Sequence, residues 1–335
     1  MDTVVKSNHL QEIFFMQSQV TFLCTPSGTI SMVMIEDIVE RCNRTFIHMG
    51  GDFILIEDSP IHCPFLRIKD WREAWIALYL RKIKFGQFTD HRKITDHEKY
   101  VPFGATEIIM EALTANLLDA AVVACDGAGT VITHNPEIVQ GIGGRMSGLV
   151  YTTPRKNVIR RLEKEGAAVV DPETARIDAV KGARKALRSY QKIAVTVTAC
   201  KDIETLRNLS ENIALFVVHT TGITPQQAHY TTKADIVWGC ASKYIREIAG
   251  PRSLIQLGVG IPVFVLTEWG LNLITPRICE LSPKIGAALR ERIEEIQAGA
   301  TCLIHHKRNP NTGIELVMKR CELPVLRSTG PHPLL

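Results

Sequence analysis

The chain has 335 residues, 45% of them apolar and 22% charged, with a formal net charge of +4. That length can bury a large core without disulfide or metal staples, and the composition argues against disorder. The mild positive balance is scattered among acids, which excludes a nucleic-acid footprint. No apolar run approaches the roughly 20 residues that cross a bilayer, and the start, MDTVVKSNHL, lacks a secretory signal. The expectation is a cytoplasmic protein that engages neither nucleic acid nor a membrane.

Residues 1–100 read as a smaller α+β portion, with β-like runs at 20–24 and 53–56 and a helix over 71–84. The polar stretch TDHRKITDHEKY, residues 89–100, reads as a linker or exposed loop. Residues 101–300 alternate helical spacing with short, wholly apolar runs, the pattern of βαβ units around a mostly parallel, doubly wound α/β sheet. The predicted strands are 120–124, 148–151, 167–170, 193–197, 213–218, 236–238 and 263–266. Helical spacing covers 108–118, 158–165, 175–190 and 244–249. An oxygen-bearing residue precedes proline at Asn135-Pro136, Thr153-Pro154, Asp171-Pro172, Thr224-Pro225 and Ser282-Pro283, each an N-cap followed by proline in the first helical position. Gln227 completes a capping box with Thr224. Residues 301–335 carry one or two strands and an extended, proline-punctuated tail.

In open α/β sheets, ligands bind outside the carboxyl ends of the strands. The residues predicted there are Cys125 to Thr130, Thr198 and Cys200, His219 to Gly222, Cys240 to Lys243, and Thr267 with Glu268. The glycine-rich segment DGAGTVITHNPEIVQGIGGRMSG matches neither a P-loop nor a dinucleotide fingerprint. Its glycines nevertheless allow backbone amides to approach an anion closely. The candidate ligand-binding set is Asp126, Gly127, Gly129, Thr130, Gly141, Gly143, Gly144, Arg145, Ser147, Thr153, Arg155, Thr220, Thr221, Ser242 and Lys243. Arg155 follows a predicted N-cap, where positive charge opposes the helix dipole and a bound anion resolves the conflict. Asp126 is a candidate base, faced by His219, Thr220 and Thr221 from a neighbouring strand.

The nine cysteines are widely separated and never form C-x-x-C, which gives no disulfide framework and no zinc ribbon. Cys125, Cys200, His219 and Cys240 are ligand types that the sheet edge brings within consideration for a metal, although their spacing gives that no support. Cys125 or Cys240 is also a candidate reactive thiol. Catalytic candidates are therefore Asp126, His219, Cys125 and Cys240.

The runs VPFGATEIIMEAL, AAVVACDGAGTVIT, VQGIGGRMSGL, TTGITPQQA and ADIVWGCASKYIREIAG together resemble the methanogenesis marker protein 8 family. The resemblance covers most of the chain and is strongest over residues 84–267. It implies an archaeal cytoplasmic protein linked to methanogenesis or a connected anaerobic process, and it implies no reaction. The reading is an anionic small molecule or cofactor bound at the strand carboxyl ends. One alternative is an accessory or assembly protein docking on a methanogenic enzyme; a second is a thiol-dependent sulfur or methyl-group transferase.

Overall fold

The computed structural model describes residues 84–144, 146, 149–240, 242–257, 261–281 and 283, the side chain of Val150 excepted, together with the backbone of several strands outside that stretch. The first of these are β1 (Val4–Val5), β2 (Cys24–Thr25), β3 (Gly28–Thr29), β4 (Thr45–Met49) and β5 (Asp52–Ile56). Then come α1 (Ala105–Thr114), β6 (Ala120–Cys125), β7 (Gly129–Thr133), α2 (Pro136–Gly143), β8 (Leu149–Tyr151), α3 (Lys156–Lys164) and β9 (Ala168–Val169). The order continues with α4 (Ala179–Ala186), β10 (Ile193–Val197), α5 (Asp202–Leu209), β11 (Ile213–Val217), α6 (Pro225–Tyr230), β12 (Ile236–Trp238) and α7 (Lys243–Ile248). It ends with β13 (Ile255–Leu257), β14 (Val263–Val265), α8 (Glu268–Leu281), β15 (His305–Arg308) and β16 (Glu315–Met318). The expected helix over 71–84 and the proline-rich tail lie outside the described residues, as do Arg145, Ser147 and Ser282.

One mixed sheet runs β9-β7-β6-β10-β11-β12-β14-β13 and continues through β16 to β15. Its middle strands β6, β10, β11 and β12 are parallel, as expected of an α/β fold. The flanking pairings are antiparallel. Strand alternation sorts the side chains into two cores. On one face Ala194, Ala214 and Phe216 meet α1, α2, α3 and α8. On the other, Ile193, Val195, Ile213 and Leu215 meet α4, α5, α6 and α7. Among the described residues, no helix is long and apolar enough to cross a membrane.

Several caps fall where the sequence puts them. The Asn135 side chain accepts from the Glu137 N–H, and Thr224 with Gln227 makes both bonds of a capping box. Two expected starts move. The Thr153-Pro154 helix begins at Lys156, after Arg155, whose side chain makes no capping bond, and Asp171-Pro172 opens a turn. The helix beyond that turn starts at Ala179, capped by Asp178, because Ala175 takes a left-handed φ of 52°. Within the run at 148–151, Leu149–Tyr151 form β8, but that strand pairs with β5 in a separate sheet of order β1-β4-β5-β8. β14 runs antiparallel to β12, so Thr267 and Glu268 sit at the opposite edge from the other strand ends. There the Thr267 hydroxyl donates to Asp235, just before β12.

The expected linker at 89–100 is instead a packed strap. Arg92, 1% exposed, pairs with the wholly buried Asp126 through an Nε–Oδ1 contact of 2.6 Å. Its terminal nitrogens donate to the carbonyls of Lys93, Gly141 and Ile142. The other Asp126 oxygen accepts from the Phe88 N–H at 2.6 Å. Burial acts to lower the Arg92 pKa, but Asp126, with Cys125 and Asp96 adding to it, holds the guanidinium above its ordinary value. The strap also lies against α2 so closely that a Cβ on Gly141 would stand 2.3 Å from the Ile94 carbonyl oxygen. Further on, Arg277 donates to the Val101 and Pro102 carbonyls, and the Trp238 indole donates to that of Phe103.

Removing one member of a hydrogen-bonded buried ion pair leaves an uncompensated charge, which costs about 3–5 kcal/mol. Arg92→Met is therefore expected to lose that much in urea unfolding, and Arg92→Met/Asp126→Leu to lose clearly less than the two single changes summed; additivity would show that the pair is not coupled. A second expectation concerns pH. Asp96 is buried, which alone would raise its pKa, but bonds from Lys93, Tyr100 and the Glu98 N–H hold it below the ordinary carboxylate value. A depressed folded pKa stabilises above the unfolded value of about 3.9 and stops doing so as pH falls through the folded one. The stability gap between wild type and Asp96→Asn should be full at neutral pH and close at acid pH; a gap independent of pH would contradict the bonding described.

Candidate functional site

The carboxyl ends of the four parallel strands define one edge of the sheet. β6 delivers Cys125 and Asp126 there, and the turn into β7 delivers Gly127, Gly129 and Thr130. Gly129 is required, because its φ is +70° and a Cβ would stand 2.1 Å from the Ala175 carbonyl oxygen. α2 returns to the same region, and the Arg92 bonds draw its Gly141 and Ile142 carbonyls toward Asp126. Gly143 ends that helix and Gly144 caps it. From the end of β8, the Thr152 hydroxyl accepts from the Gly127 N–H at 2.6 Å, and the Arg155 N–H donates to the Gly127 carbonyl at 2.8 Å. Thr153 is buried beside them in the chain.

The other strands reach the same edge. β10 leads into Thr198 and Cys200, β11 into His219, Thr220 and Thr221, and β12 into Cys240, Ser242 and Lys243. The Thr220 hydroxyl donates to the Trp238 carbonyl at 2.5 Å, which ties the β11 and β12 exits together. The Ser242 hydroxyl accepts from the Ile245 N–H and caps α7, while the Lys243 ammonium lies 4.9 Å from the Tyr244 ring centroid. Arg246 donates to the Gly239 and Ser242 carbonyls. Its burial lowers its pKa, against an opposing contribution from Cys240.

Three sequence expectations about this edge change. β10 stands between β6 and β11, so His219 does not face Asp126 from a neighbouring strand. At about 4.8 Å per strand the two exits lie roughly 10 Å apart, too far for direct contact and within the span of one small ligand. Asp126 has both oxygens bonded to protein groups and is wholly buried, so it serves as an anchor instead of a free base. Cys125 and Cys240 lie three strand spacings apart, roughly 14 Å, which no single metal ion bridges. Among the described residues, no three His, Cys, Asp or Glu side chains gather as a metal site. Cys125 is fully buried, its thiol toward the Asp126 carbonyl; Cys240 is 6% exposed and Cys200 half-buried.

Backbone conformation marks the edge in a way composition does not. Among the described residues, five non-glycine residues have positive φ: Phe88 (64°), Asn116 (56°), Ala175 (52°), His219 (58°) and Cys240 (38°). Asn116 follows α1, and asparagine tolerates this region. The other four all belong to the carboxyl edge: Phe88 on Asp126, Ala175 against Gly129, His219 after β11 and Cys240 after β12. Sequence reasoning missed Phe88 and Ala175, since neither residue type signals a left-handed backbone. At the opposite edge, a shallow groove of about 610 Å³ lies between α1 and α8, lined by Leu117, Lys192, Trp269, Leu273, Pro276 and Cys279.

Comparison with known proteins gives a relative, an uncharacterized protein of Methanocaldococcus jannaschii, 40% identical over 201 residues, which is 59% of this chain and 71% of the relative. Among solved structures, a chain from the xenon-derivatized F420-reducing [NiFe] hydrogenase complex of Methanosarcina barkeri aligns at 12% identity over 58% of this chain and 83% of its own, with a TM-score of 0.26; so weak a likeness carries no argument. Residues 56–279 match the family described as an uncharacterized protein conserved in archaea, DUF2099, and the chain belongs to that family.

Proposed function

We propose that the protein binds a small anionic molecule or cofactor at the carboxyl-terminal edge of β6, β10, β11 and β12, in the metabolism of archaeal methanogens. The observation that carries this reading is the gathering of Phe88, Ala175, His219 and Cys240, all left-handed, at one sheet edge. Each such residue costs about 1–3 kcal/mol, and strain of this kind concentrates where a ligand is held. Charge supplies the sign of the guest. α3 begins with Arg155 and Lys156 and has no acid in its first turn, and α7 likewise begins with Lys243. Cations there oppose the helix dipoles, and a bound anion reconciles the two. The metabolic setting is supported by the relative from a methanogen and by the resemblance to the methanogenesis marker protein 8 family.

A second reading, an accessory protein that docks on a methanogenic enzyme, is favoured by the largely apolar groove around Trp269 and Leu273. Exposed apolar surface of this kind commonly marks a contact site. The two readings use opposite edges of the sheet, so they separate experimentally.

Inorganic pyrophosphate is the simplest probe of the first. At a hundredfold excess over Kd it should stabilise the full-length protein by about 2.7 kcal/mol, roughly 5–10 °C in melting temperature. Arg155→Gln should lose most of that shift and Trp269→Ala none of it. Pyrophosphate without effect on the wild type, combined with Trp269→Ala losing a partner captured by the wild type from archaeal extract, would replace the first reading with the second.

A further inference from the structure

Gln87 is the one described residue whose whole polar group is orphaned in the interior. Its relative exposure is 0%, and neither Nε2 nor Oε1 has a hydrogen-bond partner. Native proteins pair such groups, and each exception calls for a cause. An ordered water is not that cause, since the pocket it would need beside the amide would register as exposure.

The surroundings of Gln87 give the cause a direction. The Thr89 N–H and hydroxyl both bond the Gly86 carbonyl, at 3.1 and 2.7 Å, so Gln87 and Phe88 are the central residues of a tight turn. Phe88 occupies the third position with φ 64°, a place that turns of this hand give to glycine. The turn is therefore doubly unfavourable, with a strained aromatic backbone and an unsatisfied carboxamide side by side. The Phe88 N–H donates to Asp126 Oδ2 at 2.6 Å, and the turn is closed onto the strap by the Lys93 N–H to the Phe85 carbonyl and the Arg92 N–H to the Thr89 carbonyl. Arg92 holds the other oxygen, Oδ1, so loss of the Phe88 bond leaves the Arg92–Asp126 contact in place.

Resting on the ligand site proposed above, we propose that Gln87 determines its specificity by reading a ligand edge with a donor and an acceptor side by side. The turn over residues 86–89 opens to admit it. A carboxamide presents one acceptor and one donor on the same face. Its complement is a cis-amide: a lactam, an imide, or the equivalent edge of a pyrimidine, purine or pteridine ring. Both orphaned atoms are satisfied at once, and the Asp126 oxygen released by Phe88 becomes a further acceptor for a ring N–H. Such a ring carrying an anionic substituent fits both this edge and the basic α3 N-terminus.

The test uses the full-length protein with uracil, hypoxanthine and lumazine as probes, each against a counterpart methylated on the ring nitrogens that flank its carbonyls. At least one unmethylated ring should raise the melting temperature at about 1 mM, a concentration suited to fragment-sized ligands, and its methylated counterpart should bind at least tenfold more weakly. Gln87→Met keeps the shape of the side chain and removes the polar atoms. It should abolish the discrimination and raise the melting temperature of the unliganded protein by about 2–4 °C, because an apolar group replaces an orphaned polar one. A Gln87→Met protein that melts lower, or fails to fold, would show that the amide is partnered in solution and would overturn the proposal. Equal binding of methylated and unmethylated rings, or binding of none while pyrophosphate still stabilises, would also overturn it and leave the anion site standing.

Discussion

The buried pair of Arg92 and Asp126 is the constraint on which the rest of the site depends. Asp126 ends the first parallel strand, and Arg92 lies in a segment that would otherwise be a solvated connection. Joining them fixes three pieces of chain at once, because the same guanidinium also holds the Gly141 and Ile142 carbonyls at the end of α2. Taking both charges out of water is expensive and is offset only when every donor and lone pair is used. Here the use is nearly complete: Nε and Oδ1 bond each other, the terminal nitrogens find three carbonyls, and Oδ2 takes the Phe88 N–H. The pair sets position far more than it adds net stability.

From that anchor the geometry of the edge follows. The strap drawn in by Arg92 lies over α2, and the Arg161 guanidinium of α3 donates to the Arg92 carbonyl, which fixes α3 against the same segment. Arg155 is thereby held at Gly127, beside the end of β6. Strand direction does the rest. The parallel strands β10, β11 and β12 discharge their hydroxyls, thiols and His219 onto the edge that β6 defines, whereas antiparallel β14 sends Thr267 to the far side. The sheet is covered on both faces, and the strained residues collect at its exits.

What was legible in the sequence was whatever a local rule encodes. The runs at 193–197 and 213–218 were recognisable as buried strands, and the Thr224/Gln227 capping box placed a helix start, because both depend on residues within one turn or one pleat. β7 was missed, since the DGAGT that opens it reads as a loop and its pairing with β6 is set by a two-glycine turn. The direction of β14 was illegible for a different reason: period-two burial is the same in parallel and antiparallel strands. The polar segment around Arg92 was read as exposed because its partner lies 34 residues away, and no local pattern announces a long-range ion pair. The candidate site was half legible. The strand-end rule gathers candidate residues at one edge, but the roles of Asp126 as anchor and of Gln87 as an orphan depend on packing alone.

Asp126 shows why residue type alone is a poor guide to role here. A carboxylate at the end of a parallel strand, beside glycines, has the address of a catalytic base, yet both its oxygens are bonded to the protein. The two bonds are not equivalent. The one to Arg92 belongs to a network of four further buried or half-buried contacts and breaks only with the strap itself. The one to Phe88 holds a turn that carries strain and an unpaired amide, so its loss is partly compensated by relief of both. A single carboxylate thus joins a rigid anchor on one oxygen to a releasable latch on the other, and the boundary between fold and candidate site runs between its two oxygen atoms.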